Sequence, residues 1–323
     1  MKKILSIGEA TVDNFMLIHE ASIHCTIDKK KCEFCMNYAD KVMADNCVFS
    51  VGGNAVNTAV SFARLGLESQ LFSVRGDDWI GEQIQATLEK EKIDCRYIQV
   101  EPGPSSYATA IVFQGERNLI VFHVPRDYQL PSFDPVDWVY LTSMGQAFMP
   151  AYEKALHFIK TTKPKVSFNP GNFQLKAGVS KLKPFLAVTD ALFVNTEEAR
   201  HLTELPGSAT FHDLAVALYD LGAKIVNITD GPNGAYAFDG DSLLFCDIFP
   251  AEVVERTGAG DSYAAGFTAA LLNGEEVNEA MRWGMANSAG VITKIGPIAG
   301  LLSKDEMAEA LNDNHQLPKA VRR

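Results

Sequence analysis

Two glycine-rich stretches of the sequence each place polar side chains at the start of a helix-like pattern. Residues 255–267 contain three small residues ahead of a carboxylate, namely Gly258, Ala259, Gly260 and Asp261. The first N–H groups of a helix have no partner within it, and glycines let them approach a phosphate closely. A carboxylate beside them could accept the proton of an attacking hydroxyl. Taken alone, the stretch is equally typical of a tight loop and a helix-capping aspartate.

The second stretch, "GGNAVNTAVSFARLG", places Asn54 and Asn57 after glycines at another predicted helix start. Amide side chains both donate and accept hydrogen bonds, which is what a polyhydroxy ligand requires. Asp13 follows the first strand-like run, and the same end of a sheet would bring it near this loop. Ordinary helix caps and a turn aspartate explain the same residues, so a binding site and a structural role both stay open.

The elements that must position these residues alternate along the chain. Short apolar runs such as residues 3–7 and 138–143 indicate buried strands, with amphipathic helical patterns between them. This alternation predicts a mostly parallel sheet covered by helices on both faces. Segments 14–50 and 97–124 interrupt it and are rich in strand-like patterns. We therefore predict a single domain over residues 1–323, with a small lid sheet formed by these two insertions.

Bulk composition restricts the partners of the chain. Its 323 residues are 47% hydrophobic and carry a net charge of −11, without a long run of lysine or arginine. Nucleic acids and anionic membranes are therefore disfavoured as partners. No stretch reaches the roughly 18 apolar residues of a membrane span, and the N-terminal apolar run is too short for a signal peptide. We expect a cytoplasmic protein whose six cysteines are mostly reduced thiols or metal ligands.

A cysteine cluster lies in the first predicted lid segment. Cys25, Cys32 and Cys35 have C-x₆-C-x₂-C spacing, and His24 or Cys47 could supply a fourth ligand. Four sulfur or nitrogen ligands suit tetrahedral Zn²⁺. Reduced thiols without a metal are the alternative, because a full zinc site usually contains two paired cysteine knuckles.

The ordered motifs resemble the PfkB family of ribokinase-like sugar kinases. Its N-terminal signature is similar to residues 52–66, and its C-terminal signature to "ERTGAGDSYAAGFTAAL" at 255–271. Two weaker matches, "VNTEEA" at 194–199 and "ITDGPNGAYAF" at 228–238, lie between them in the expected order. The resemblance covers about residues 3–300. It implies a three-layer, doubly wound α/β fold with a mostly parallel sheet and a small β-sheet lid.

The resemblance also implies an activity and a set of roles. The γ-phosphoryl of ATP would pass to a hydroxymethyl or other alcohol group of a sugar or nucleoside. Asp261 would be the base, and the amides of Gly258, Ala259 and Gly260 would form the anion hole. Asn195 and Glu198 would organise Mg²⁺ through water. The residues implied for the nucleotide are Thr229, Gly231, Gly234 and Asn287. The residues implied for the acceptor are Asp13, Gly53 and Asn57, with Asn54 also assigned to this substrate site.

The sequence departs from the family pattern at several of these positions. The family usually has Asp where Glu255 stands and Thr where Arg256 stands, and ribokinases proper carry Lys at the position of Asn54. Glu255 and Thr257 match positions near a monovalent-cation site of many members. The longer side chain of Glu255 leaves activation by K⁺ open. These departures weaken an assignment to ribose.

The acceptor and the assembly state remain open at this stage. Arg126 could meet an anionic acceptor, although an exposed loop arginine explains it equally well. A non-catalytic pseudokinase that senses a sugar or nucleoside is the alternative to an enzyme, and the intact Asp261 favours the enzyme. Exposed lid strands invite pairing with a second copy, which predicts a homodimer through the lid as one possible assembly.

Overall fold

The computed structural model describes residues 1–26, 32–114, 116–312 and, for the backbone only, 321–322. Parts of both predicted lid segments, residues 27–31 and residue 115, lie outside these ranges.

Ten strands form one large sheet. In spatial order they are β16 (Val321–Arg322), β15 (Leu243–Cys246), β14 (Ala235–Phe238), β13 (Ile225–Thr229), β12 (Ala191–Asn195), β11 (Lys165–Asn169), β10 (Trp138–Thr142), β1 (Lys3–Ile7), β6 (Glu68–Gly76) and β7 (Ile98–Glu101). The strands from β13 to β7 are parallel to their neighbours, whereas β14, β15 and β16 add antiparallel pairs at one edge. Parallel strands need covered faces, which explains their nearly continuous apolar runs.

Helices cover both faces of this sheet. They are α1 (Asn54–Arg64), α2 (Trp79–Lys90), α3 (Met149–Thr162), α4 (Asn172–Ala177), α5 (Val179–Leu186), α6 (Thr196–Thr203), α7 (Phe211–Asp220), α8 (Ala259–Asn273), α9 (Val277–Val291) and α10 (Lys304–Asn312). In β10, Trp138 and Tyr140 pack with α1, α8 and α9, whereas Val139 and Leu141 pack on the other face with α3 and α5. Successive side chains of a strand point to opposite faces, so one strand serves two cores. The predicted three-layer α/β fold is confirmed.

A second sheet forms the lid. Its strands, in spatial order, are β5 (Ala44–Gly52), β2 (Thr11–Ile18), β8 (Tyr107–Phe113) and β9 (Glu116–Phe122). A separate hairpin contains β3 (Ser22–Cys25) and β4 (Cys32–Cys35). Residues 98–101, which we assigned to the lid, instead form β7 at the edge of the main sheet beside β6. A short apolar run does not reveal which sheet it joins, because either sheet offers an edge.

The lid joins the main sheet through two short links that pack together. Residues 8–10 connect β1 to β2, and Gly53 connects β5 to α1. Gly53 has φ 93°, and a Cβ there would lie 2.6 Å from the carbonyl oxygen of Glu9. Only glycine adopts this conformation at such a close approach without strain. The positive φ and the close contact therefore fix glycine where the lid begins.

The cysteine predictions need correction. Cys25 and Cys32 form a disulfide, whereas Cys35, Cys47, Cys95 and Cys246 are free. The register of the hairpin pairs Cys25 directly with Cys32 but pairs Cys35 with Ser22 at its far end. Two of the three expected Zn²⁺ ligands are thus not thiolates. Within the described ranges, no group of three or more His, Cys, Asp and Glu side chains could hold a metal ion, so the predicted zinc site does not form here.

Among the helices of the described residues, none has both the length and the apolar character required to cross a membrane.

Candidate active site

Three adjoining cavities lie where the carboxyl ends of the parallel strands meet the lid. The apolar cavity, of about 430 Å³, lies beside the start of α8 and the C-terminal end of α9. The central cavity, of about 330 Å³, lies at the ends of β12 and β13. The lid cavity, of about 320 Å³, lies between α1 and the lid strands. Ligands of open parallel sheets bind at this edge of the strands.

The apolar cavity is lined mainly by apolar side chains, which suits an apolar group of a ligand. Its wall is lined by Ile248, Phe249, Pro250, Val253 and Met285, and its rim by three of the predicted nucleotide residues, Thr229, Gly231 and Gly234. Gly234 has φ 93°, and a Cβ at this position would lie 2.4 Å from the carbonyl oxygen of Cys246. The rim therefore depends on a glycine that allows two backbone segments to approach.

Asn287 does not line the apolar cavity, although we predicted it beside the nucleotide. Its side chain is fully buried, and its Nδ2 donates to Ser61 Oγ at 2.9 Å and to the Ser262 carbonyl at 2.8 Å. Its Oδ1 accepts from the Leu302 N–H at 3.1 Å. Asn287 therefore ties three segments of the core together, while its neighbour Ser288 faces the cavity.

The start of α8 forms one wall of the central cavity. Gly258 precedes the helix with φ 83°, and Ala259, Gly260 and Asp261 form its first turn. A Cβ added at Gly260 would have no heavy atom within 4 Å, so this glycine keeps the cavity open rather than satisfying a packing contact. The N–H groups of a first helical turn lack acceptors within the helix and carry the positive end of its dipole. This wall is suited to an anion.

Asp261 lies where the central cavity meets the lid cavity. Its Oδ2 accepts a hydrogen bond from Asn57 Nδ2 at 2.8 Å. Burial raises the pKa of Asp261 to about 7, and the negative charges of Glu198 and Asp13 act in the same direction, while the bond from Asn57 lowers it. A carboxylate that titrates near neutral pH is suited to accept a proton from a hydroxyl.

Asn195 and Glu198 line the opposite wall of the central cavity. Asn195 Oδ1 accepts from the Glu198 N–H, and Glu198 Oε2 accepts from the Asn195 N–H, each at 2.9 Å, which forms a capping box on α6. Burial raises the pKa of Glu198. Asn169 lines the same cavity. The side chains of all three residues carry oxygen atoms, which are the ligands that Mg²⁺ prefers. The residues present therefore fit a hydrated Mg²⁺ ion.

The lid cavity brings the predicted acceptor residues together. Asp13, Gly53, Asn54 and Asn57 all line it. Burial raises the pKa of Asp13 to about 6, and the charge of Glu255 adds to this effect. The Oδ1 of Asn57 is buried and accepts no hydrogen bond from the described part of the chain. A hydroxyl donor from a ligand would satisfy it, because buried polar atoms rarely stay unpaired.

Sequence reasoning missed Glu9 and His123, which both line the lid cavity. Glu9 Oε1 accepts from Tyr128 Oη at 2.9 Å and lies 3.0 Å from His123 Nε2. Its carboxylate raises the pKa of His123, whose ring stacks on Phe173. The position of Glu9 directly after β1 and Gly8 was the available signal, since strand ends meet at this edge. No pattern marked His123.

Arg126 lies away from all three cavities. It is buried, and its guanidinium donates to the Pro104 carbonyl at 2.6 Å and to Glu101 Oε2 at 3.2 Å. These contacts occupy the group that we expected to meet an anionic acceptor. Two other arginines do reach the cavities. Arg256 lines the apolar and central cavities. Arg117 on β9 lines the central and lid cavities and faces inward with Leu119 and Val121, because strand residues alternate.

The sequence is similar to a known protein family and to several of its members. The model of the pfkB family carbohydrate kinases matches residues 12–304. The chain is 25% identical over 284 residues to the ATP-dependent 6-phosphofructokinase of Thermoanaerobacterium thermosaccharolyticum, covering 82% of this chain and 86% of that protein. It is 25% identical over 287 residues to the ribokinase of Haemophilus influenzae, covering 84% and 90%. It is 26% identical over 251 residues to the nucleoside kinase of Methanothermobacter thermautotrophicus, covering 76% and 79%.

Solved structures share the fold. The nucleoside kinase of Methanocaldococcus jannaschii superimposes with a TM-score of 0.75 at 22% identity, covering 96% of this chain and 98% of that one. The ribokinase of Thermotoga maritima gives a TM-score of 0.75 at 20% identity, covering 96% and 99%. At these identities the similarity establishes the fold and leaves the substrate open.

Proposed function

The chain belongs to the pfkB family of carbohydrate kinases, and from this premise we propose that it phosphorylates a hydroxyl of a polyhydroxy acceptor held in the lid cavity. Membership makes it an ATP-dependent kinase of a sugar or nucleoside. The observation that carries the proposal is the Asn57–Asp261 hydrogen bond at the junction of the central and lid cavities. It holds a titratable carboxylate between an anion-binding wall and a pocket of hydroxyl-binding groups.

In this proposal the adenine ring occupies the apolar cavity and the phosphates extend into the central cavity. The acceptor hydroxyl loses its proton to Asp261, and its oxygen forms a bond to the γ-phosphorus. The bond from that phosphorus to the bridging oxygen of the β-phosphate breaks, and ADP leaves with this oxygen. The amides of Gly258, Ala259 and Gly260 stabilise the negative charge of the transferred group.

Mg²⁺, when bound, would supply charge neutralisation for the phosphates. Asn195 and Glu198 would hold the water molecules that coordinate the ion, because their side-chain oxygens line the central cavity. Glu198 also completes the capping box of α6.

We do not propose a K⁺ site near Glu255 and Thr257. Glu255 is buried, and its carboxylate accepts from the Thr257 N–H at 2.9 Å and from Thr257 Oγ1 at 2.7 Å. The guanidinium of Arg117 lies 3.2 Å from the same carboxylate. An internal cation therefore already occupies the neighbourhood of the charge that K⁺ would require.

The acceptor is proposed by chemical class. Asp13, Glu9 and the unpaired Oδ1 of Asn57 are hydrogen-bond acceptors that line one pocket. A vicinal arrangement of hydroxyls, as in a sugar or the ribose of a nucleoside, supplies matching donors. The non-catalytic sensor has no observation in its favour, since Asp261 and the small residues before it are all in place.

The test is ADP release across acceptors, namely pentoses, hexoses, hexose phosphates, sugar acids and nucleosides. We expect turnover with at least one class, and we expect Asp261→Asn to lower kcat by at least about 100-fold while acceptor binding persists. Near-full turnover by this variant would show that Asp261 is not the base. Measurable acceptor binding without ADP release by the wild-type chain would favour the sensor.

We also propose a homodimer through the lid and a cytoplasmic location. The dimer is supported by β9 at the edge of the lid sheet, where Ile120 and Phe122 are exposed. Light scattering on the purified chain measures its mass, and a monomer would refute the dimer.

The cytoplasmic location rests on composition alone, and the Cys25–Cys32 disulfide is unusual for that compartment. Cell fractionation tests it.

A further inference from the structure

Arg117 is the one cationic side chain that lines both the central and the lid cavity within the described residues. The lining shared by these two cavities contains only Asn54, Arg117, Gly258 and Asp261. A phosphoryl group that moves from ATP to an acceptor must pass this junction. Arg117 comes from the lid strand β9, whereas Asp261 and Gly258 come from the main domain.

The guanidinium of Arg117 is held in place by one contact, and most of its N–H groups stay available for hydrogen bonds to a ligand. Its Nη1 lies 3.2 Å from Oε1 of the buried Glu255, which also accepts two hydrogen bonds from Thr257. The Nε of Arg117 is buried and has no hydrogen-bond partner in the described part of the chain. A guanidinium has five N–H donors in a fixed fork, so one contact with Glu255 leaves most of them available.

A second ion pair crosses the same gap. Glu116 on the lid strand pairs with Arg256 at 2.9 Å, beside the pair of Arg117 with Glu255. The side chains of Arg256 and Glu116 are 51% and 75% exposed, whereas that of Glu255 is only 4% exposed. Exposed ion pairs contribute little, with a median of about 0–1 kcal/mol. The outer pair therefore provides a natural comparison for the inner one.

We propose that Arg117 is a catalytic residue that contacts the transferred phosphoryl group and stabilises its charge in the transition state. The inference rests on the proposed kinase function and deepens it. Glu255 keeps the guanidinium oriented toward the junction before the phosphoryl arrives. Negative charge spread over the equatorial oxygens of the transferred group is what an arginine stabilises in phosphoryl transfer. Because Arg117 is on the lid strand β9, its positive charge is present at the junction of the two cavities only when the lid is in place.

The central experiment compares Arg117→Gln with Glu116→Gln at saturating ATP and acceptor. Arginines that stabilise such transition states are worth about 10³–10⁵-fold in kcat. We expect Arg117→Gln to lower kcat by at least about 100-fold and to leave both KM values within about threefold, since the contact forms mainly in the transition state. Glu116→Gln removes only the outer ion pair and should retain kcat within about twofold.

A double variant separates chemistry from a merely structural role. If Arg117 only neutralises the buried Glu255, Arg117→Gln with Glu255→Gln should recover wild-type kcat, because no unpaired charge remains. If Arg117 acts on the phosphoryl group, the double variant should stay as slow as Arg117→Gln. Binding gives a second readout: ADP should bind the single variant normally, whereas ADP with aluminium fluoride, a mimic of the transferring phosphoryl, should bind at least about 10-fold more weakly.

Failure of this role can be distinguished from failure of the proposed function. A wild-type chain that releases no ADP with any acceptor overturns both. Wild-type turnover together with kcat within about threefold for Arg117→Gln overturns only the role of Arg117. Recovery in the double variant, or an equal loss in Glu116→Gln, also overturns it, because either result makes the lid contact structural.

Discussion

The hydrogen bond from Asn57 to Asp261 sets the pH at which the base is ionised. Replacing Asn57 by Ala removes the donor at 2.8 Å and leaves the carboxylate with the burial that raised its pKa to about 7. Hydrogen bonds to charged groups contribute about 1.5–3 kcal/mol, and one pKa unit corresponds to about 1.4 kcal/mol. The pKa should therefore rise by about 1–2 units, to about 8–9. At pH 7 the ionised fraction then falls from about one-half to between about one-tenth and one-hundredth.

The assay is kcat against pH, from about pH 6 to about pH 10, with both substrates saturating, because kcat reports the pKa of the bound complex. Asn57→Ala should lose about 5–50-fold at pH 7 and approach wild type at the alkaline end. Asn278→Ala, at an exposed position of α9, should match wild type throughout. An unshifted acid limb in Asn57→Ala, with kcat reduced equally at every pH, would refute the claim that this bond tunes the base.

Two further predictions concern carboxylates of the central cavity. The folded-state pKa of Asp261, about 7, lies above its ordinary value of 3.8, so the native state binds the proton more tightly and stability is lost as pH rises between these values. At pH 8 the free energy of unfolding of Asp261→Asn should therefore exceed that of wild type by on the order of a few kcal/mol, and the difference should vanish near pH 4. Calorimetry at both pH values checks this through the melting temperatures, and equal melting temperatures at pH 8 would contradict it. Glu198→Gln retains a side chain that completes the capping box but loses the charge. It should keep its melting temperature yet need at least about 10-fold more Mg²⁺ for half-maximal rate, and an unchanged Mg²⁺ requirement would remove Glu198 from the metal site.

Much of the fold could be predicted from local sequence patterns. β1 matches the predicted run at 3–7, and β10 lies within the predicted run at 138–143. Local patterns of apolar residues determine such elements. The placement of 98–101 could not be predicted, because the choice between two sheet edges depends on contacts distant in sequence. The disulfide depended in the same way on a cross-strand register that pairs Cys25 with Cys32.

The site was predictable where a motif fixes several neighbours at once. Asp261 and the small residues before it occupy one helical turn, so locating the turn locates them all. Arg117 and Arg126 illustrate the opposite case. Arg117 lies within β9 and Arg126 follows it, and only the alternation of that strand and the fold of the next loop decide which guanidinium enters a cavity. Arg256, which the sequence left without an explanation, contacts Glu116, 140 residues away, and lines the apolar and central cavities.

The links between lid and main domain also carry the acceptor pocket. Glu9 and Gly53 lie in contact at these links, and both line the lid cavity. An acceptor bound there would contact the same links, so we expect occupancy of the pocket to be coupled to the position of the lid. The ratio of ATP consumed to acceptor phosphorylated should consequently stay near one even at low acceptor concentration. The links between lid and main domain would then limit the wasteful hydrolysis of ATP.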